Sequence, residues 1–175
     1  AQLIKRNNEV MIWSRGEELI SKQFPELLEM GSFLNNGTVI DGEILPFKNG
    51  KIGSFNELQK RLGRKNVGKT ILENNPVILK AYDLLELNDL DIRNQKYVDR
   101  RKSLEKIVLS VQNEKLQLST YYIFNNWKEV ETAHSHARIN KSEGLMIKNI
   151  TAFYKVGRKK GDWWKWKVDP LTIDA

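Results

Sequence analysis

The chain has 175 residues, 40% of them hydrophobic and five of them Trp, which is enough apolar material for one domain with a core and excludes a disordered chain. Lys and Arg number 29 against 22 acids, a formal charge of +7 that favours a polyanionic partner, nucleic acid first. The lack of Cys excludes a disulfide framework and a thiolate metal site and fits a reducing compartment; with no apolar run near ~18 residues, no membrane-spanning helix is expected.

In chain order, "QLIKRNNEVMIW" predicts two short strands around Asn7-Asn8, a hairpin signal. "GEELISKQFPELLEM" predicts a helix broken at Pro25. A strand follows from Thr38 to Leu45. "SFNELQKRLG" carries a Ser54 cap with Glu57 three residues on, and apolar Phe55, Leu58 and Leu62 at helical spacing. "PVILKAYDLLEL" predicts a buried strand after Pro76. "YVDRRKSLEKIVLSV" predicts an amphipathic helix with Val98, Leu104, Ile107, Val108 and Val111 inward. "KLQLSTYYIF" reads as a strand and "NWKEVETAHSHARIN" as a helix. Three strands, "GLMIKNI", "AFYKV" and "DWWKWKV", close the chain. Strands joined by short links pair antiparallel, so the predicted class is α+β: mainly antiparallel sheets flanked by helices.

"GRKNVGKT", Gly63 to Thr70, matches the phosphate-binding loop pattern G-x-x-x-x-G-K-[ST]. That loop needs a strand before it and a helix opening directly after it. Here a helix-like segment precedes Gly63, and only "ILENN" separates Thr70 from Pro76. The expected reading is a basic surface loop whose Arg64, Lys65 and Lys69 can meet a phosphate backbone. "GRKKGD", from Arg158, is expected as a basic turn. His134 and His136, two apart on a helix, cannot face one ion and read as surface residues.

Four stretches carry candidate chemistry. As a strand, "DWWKWKV" puts Trp163, Lys165, Lys167 and then Asp169 on one face, and Trp164, Trp166 and Val168 on the other. The two ammonium groups stand ~7 Å apart and repel unless an anion sits between them. In "VIDGEIL", Val39, Asp41, Glu43 and Leu45 share a face, and Gly42 permits close approach to the backbone. Glu143 precedes the strand beginning at Gly144, and Tyr82 sits in an aliphatic strand. Singly, each has a plain structural explanation: an edge acid pair, a strand-end carboxylate, a core tyrosine. Together they are the parts for holding a nucleoside triphosphate with a metal: a stacking ring, a carboxylate for ribose, a carboxylate for a hard cation, and lysines for phosphate.

In order along the chain, "WSRGEE", "DGEIL", "AYDLL", "EGLMIK" and "WWKWKVD", with the Arg-rich helix "DRRKSLEKI", resemble the motifs of the nucleotidyltransferase (adenylation) domain of ATP-dependent DNA ligases of bacterial type. The resemblance covers essentially the whole chain. It implies that Tyr82 stacks on adenine, with a hydroxyl that needs a partner because the family often has Phe there. It further implies that Glu43 binds ribose, that Glu143 binds Mg²⁺ or Mn²⁺, and that Lys165 and Lys167 contact the α-phosphate of ATP or AMP. Arg15 would touch the nucleotide or the 5′-phosphate of the nick. The anion between the lysines is then expected to be a phosphate, and Trp164 and Trp166 to be packing. Trp163 has no assigned role.

The family's nucleophile is a lysine in K-x-D-G-x-R, and no K-x-D-G occurs in this sequence. The expectation is therefore a fragment, residues 1–175 of an adenylation domain, beginning just after the nucleophile motif. It ends, at "DPLTIDA", where the family enters an OB-fold domain. Such a fragment is expected to be inactive in forming lysyl-AMP. The parent is expected to be a monomeric, cytoplasmic, nucleoid-associated bacterial enzyme acting on nicked duplex DNA in repair, replication or recombination. The rivals are an RNA ligase or mRNA-capping guanylyltransferase, a P-loop ATPase depending on Lys69, and a non-catalytic basic DNA-binding module.

Overall fold

The computed structural model describes residues 1–64, 66–139, 142–157 and 159–168. Lys65, Arg158 and the 169–175 segment expected to lead into a further domain lie outside the described residues. The chain opens with the expected hairpin, β1 (Gln2–Arg6) and β2 (Glu9–Trp13). Asn7 and Asn8 both have positive φ, 52° and 62°, the geometry a two-residue hairpin turn demands and one that Asn tolerates. The stretch up to Phe24 is not an α-helix. It bridges back from Leu19 to Trp13 and makes a 3-10 turn at Ser21–Gln23. Pro25 starts helix α1 (Pro25–Gly31) instead of breaking one, because the first helical turn has no use for the missing N–H.

β3 (Thr38–Lys48) and β5 (Val77–Leu87) form the long antiparallel centre of a seven-stranded sheet of order β2-β1-β3-β5-β6. β4 (Lys51–Ile52) pairs with β3, β6 (Leu90–Asp91) pairs with β5, and β7 (Leu116–Leu118) joins β5 in parallel. The parallel pairing follows from the crossover through α4 (Tyr97–Val111). A bulge displaces the β3–β5 register between Asp41 and Gly42, leaving Tyr82 as the extra residue. Val77, Leu79 and Ala81 face the core before it, and Leu84 does so after it. α1, through Leu27 and Met30, and α4, through Leu104, close the core cluster with them.

The capping box of α2 (Phe55–Leu62) is present, yet its expected apolar stripe is not. Leu58 is buried, Phe55 is 63% exposed, and the fully buried residue is Arg61. Its guanidinium donates to Glu26, to the Gln23 carbonyl and to the Asn75 carbonyl, so the charge is paired and its donors used. On α4, Tyr97, Arg100 and Arg101 are buried beside Leu104, while Val98, Ile107, Val108 and Val111 are half-buried.

The last part of the chain forms a separate two-stranded antiparallel sheet, β8 (Gly144–Lys148) with β9 (Trp163–Lys167). α5 (Trp127–Ser135) precedes it. The expected middle strand "AFYKV" is not one. Lys96, the cap of α4, supplies no side-chain acceptor, so the first N–H groups of that helix need others. The carbonyls of Ala152 and Ile150 accept from Tyr97 and Val98, and Tyr154 N–H donates to the Arg93 carbonyl. The segment is spent on capping α4 and cannot also join a ladder.

Candidate active site

Lys165 and Lys167 do share a face of β9, and an anion does sit between them. It is the Glu143 carboxylate, whose Oε2 lies 3.0 Å from Lys165 Nζ and 3.4 Å from Lys167 Nζ. The hydrogen bond from Lys165 and both ammonium charges hold the Glu143 carboxyl below the usual carboxylate range. All three side chains are largely solvent-exposed, so the clasp is screened and easily exchanged for other partners. Gly144 makes the arrangement possible. Its φ is 137°, and a Cβ there would meet the Trp166 carbonyl oxygen at 1.9 Å.

Directly opposed residues of β8 and β9 carry their side chains to one face, and the register sets Met146 against Lys165 and Lys148 against Trp163. Lys148 was not anticipated as a site residue. Its ammonium lies 4.8 Å from the Tyr82 ring centre, 4.5 Å from Tyr97 and 4.2 Å from Trp163. Neither its Nζ nor Trp163 Nε1 has a hydrogen-bond partner among the described residues, although both atoms are buried. Ring faces replace water around the cation. Desolvation is the main cause that drops its pKa to about 8, partly offset by Asp83 and Asp41. Trp163 thus gains a place: its ring forms one wall of this cage, edge-on to Tyr97 and Tyr154. The signal for Lys148 lay in the motif "EGLMIK", four residues after Gly144, but only the β8–β9 register turns it toward Tyr82.

Tyr82 finds its hydroxyl partner in Asp41, donating to Oδ1 at 2.9 Å, and Tyr154 donates to Oδ2 of the same carboxylate at 2.8 Å. Burial raises the Asp41 pKa and the two phenols oppose that rise; burial and the Asp41 charge raise both phenols. Glu43, two residues on along β3 and exposed, is close enough to act electrostatically on Tyr82. β3 is a central strand, so its acid pair is not an edge device. Beneath the cage Arg100 and Asp83, both fully buried, make a two-pronged ion pair at 2.8 and 2.9 Å. Arg15 is exposed on the turn after β2 and makes no ion pair among the described residues. Trp166 stacks on His134 at 4.2 Å, as packing requires, but Trp164 is 58% exposed and packs little. His136 is exposed and Lys69 stands 89% exposed at the start of the six-residue helix α3 (Lys69–Asn74), with no strand leading into its loop.

No cluster of three or more His, Cys, Asp or Glu able to hold a metal occurs among the described residues. A single exposed carboxylate beside two ammonium groups can still serve Mg²⁺ or Mn²⁺, which take one or two carboxylates and complete their shell with water and phosphate oxygens.

A mainly antiparallel sheet flanked by helices, with a second small sheet beside it, is the fold of DNA ligase nucleotidyltransferase domains. Residues 1–167 match the family described as "ATP dependent DNA ligase domain", and the chain belongs to that family. It is 30% identical to the DNA ligase of Sulfurisphaera tokodaii, an alignment covering 97% of this chain and 29% of that protein. To the probable DNA ligase of Dictyoglomus turgidum it is 31% identical, over 95% of this chain and 29% of that one. The chain thus spans under a third of these relatives. Among solved structures, mycobacterial DNA ligase D complexed with ATP and MES matches with a TM-score of 0.73 at 23% identity, covering 95% of this chain and 50% of that one. Chlorella virus DNA ligase-adenylate matches at 0.65 and 17%, covering 95% and 58%. Likeness at these identities carries the fold. The relatives' names disfavour the RNA ligase, capping-enzyme, P-loop and non-catalytic readings.

Proposed function

We propose that this chain is the adenylate-gripping part of an ATP-dependent DNA ligase that seals nicks in duplex DNA. The observation that carries the reading is the Glu143–Lys165–Lys167 clasp, on the β8–β9 face that also sets Lys148 against Tyr82. Tyr82 offers its ring to adenine, and the Lys148 ammonium now over that ring must shift or be matched by the base. Glu43 accepts from the ribose hydroxyls. Lys165 and Lys167 release Glu143 and take the α-phosphate, neutralising the charge that builds on it during transfer. A divalent cation held by the freed Glu143 would supply further charge neutralisation at the phosphates. Arg15 reaches the nucleotide or the 5′-phosphate of the nick.

The reaction passes from lysyl-AMP to adenylated 5′-phosphate DNA and then to the phosphodiester, with AMP leaving. No K-x-D-G motif is present in these 175 residues, so the chain itself is expected to bind AMP or ATP weakly and to form no lysyl-AMP. The parent is proposed to be a monomer of the bacterial cytoplasm, associated with the nucleoid. Incubation with labelled ATP and Mg²⁺ tests the catalytic part: a covalent AMP adduct on any lysine of this chain refutes it. Calorimetric titration with AMP tests the binding part, with Tyr82→Ala and the double variant Lys165→Ala, Lys167→Ala each expected to abolish the signal. Binding unchanged in both variants would remove the site from this face.

A further inference from the structure

The small sheet makes few ties to the large one, and one of them runs through a carboxylate. Asp41 is 7% exposed, and both of its oxygens are occupied by phenols from distant parts of the chain. Tyr82 comes from β5, and Tyr154 comes from the connection between β8 and β9, 113 residues from Asp41. The Tyr154 backbone N–H reaches the Arg93 carbonyl, and its ring meets Trp163 edge-on at 5.6 Å. Tyr154 therefore touches β3, the approach to α4 and β9 at once.

We infer that Tyr154 is a positioning residue: through the shared Asp41 carboxylate it fixes the plane of Tyr82 and holds the strand pair bearing Lys165 and Lys167 at a set distance from that ring. The inference rests on the proposed stacking of a purine on Tyr82. A phenylalanine at position 82 would stack equally well but could not take part, so the hydroxyl is explained by the clamp and not by stacking. A buried carboxylate with two phenolic donors has its lone pairs well used, and loss of either donor leaves it short of a partner. Tyr154 donates from the connection between β8 and β9, outside both strands, so the loss falls on that connection first.

Hydrogen exchange followed by mass spectrometry, together with AMP titration of the same samples, tests this in the 175-residue chain. Tyr154→Phe keeps the ring edge on Trp163 and removes only the donor. It is expected to speed exchange about tenfold or more in residues 149–157 and 163–167, to leave β1 and β2 as they were, and to weaken AMP binding severalfold. Asp41→Asn, which keeps the shape and one acceptor, is expected to give a smaller change at the same peptides. Should Tyr154→Phe fail to fold, Asp41→Asn carries the same exchange readout. Exchange at 149–157 that matches the wild type, or that accelerates equally across the whole chain, overturns the clamp. Selective acceleration in a chain that binds no AMP upholds the clamp and strikes the adenylate reading instead. AMP bound equally by wild type and Tyr154→Phe, with unaltered exchange, does the reverse.

Discussion

The two sheets of this molecule are built on opposite terms. The seven-stranded sheet is stabilised by area: Leu3, Ile12, Ile40, Leu79 and Leu84 are at most 1% exposed, and α1 and α4 cover them. Neither β8 nor β9 has a fully buried side chain, and a two-stranded sheet alone is marginal in water. It stands through polar and aromatic ties, namely the Asp41 carboxylate, the carbonyls that cap α4, Arg100, and the cage around Lys148. Of the residues proposed to hold a nucleotide, the stable sheet carries Tyr82 and Glu43, and the weak one carries Lys165 and Lys167 with Glu143 at its edge. A site divided in this way lets the charged half rearrange around a ligand without disturbing the core.

The largest effect that would break this contrast is at Arg100, which serves both sheets: it pairs with Asp83 on β5 and donates to the Ala152 carbonyl. Arg100→Ala leaves a buried carboxylate unpaired and is expected to cost about 3–5 kcal/mol, read as a fall of roughly 10 °C in the calorimetric Tm. Next come the lysines. Lys165→Ala or Lys167→Ala is expected to lower AMP affinity about tenfold in titration calorimetry while Tm barely moves, because the pair with Glu143 is exposed. Glu143→Gln sharpens the point with the opposite sign. Freed of their internal anion, the lysines are expected to bind AMP severalfold tighter without Mg²⁺, and Mg²⁺ is expected to lose its effect.

Lys148 gives a smaller, pH-dependent effect. Its folded pKa of about 8 lies below its ordinary 10.5, so between those values the unfolded chain binds more protons and stability rises with pH. Tyr82 and Tyr154, raised when folded, reverse the trend above their ordinary 10. The urea midpoint is therefore expected to climb from pH 8 to about 10, and Lys148→Met to flatten that climb. Smallest is Phe55→Ser on the exposed side of α2, expected within about 0.5 kcal/mol of wild type by the same measurement.

What could be read from the sequence was what neighbours in sequence decide. The Asn7-Asn8 turn, the Ser54–Glu57 box and the two long strands answer to local rules and stand where expected. So does the lysine face of β9. Apart from Pro25, which starts a helix by a local rule, the misses depend on groups remote in sequence. Arg61 is buried because Gln23, Glu26 and Asn75 converge on it, whereas the pattern offered Phe55 and Leu62. "AFYKV" has strand composition but is drawn to the bare N-terminus of α4. The anion between the lysines is 22 residues upstream of Lys165, and Lys148 enters the site only through its register with Trp163.

The placing of the tryptophans has a practical consequence. None of the five belongs to the core, and three lie side by side on β9. Intrinsic fluorescence of this chain is therefore weighted toward β9, with Trp13 on β2 as the one indole in the large sheet. A melt followed by indole emission should run ahead of one followed by far-ultraviolet dichroism, and the gap between the two curves is an optical gauge of how loosely the smaller sheet is moored.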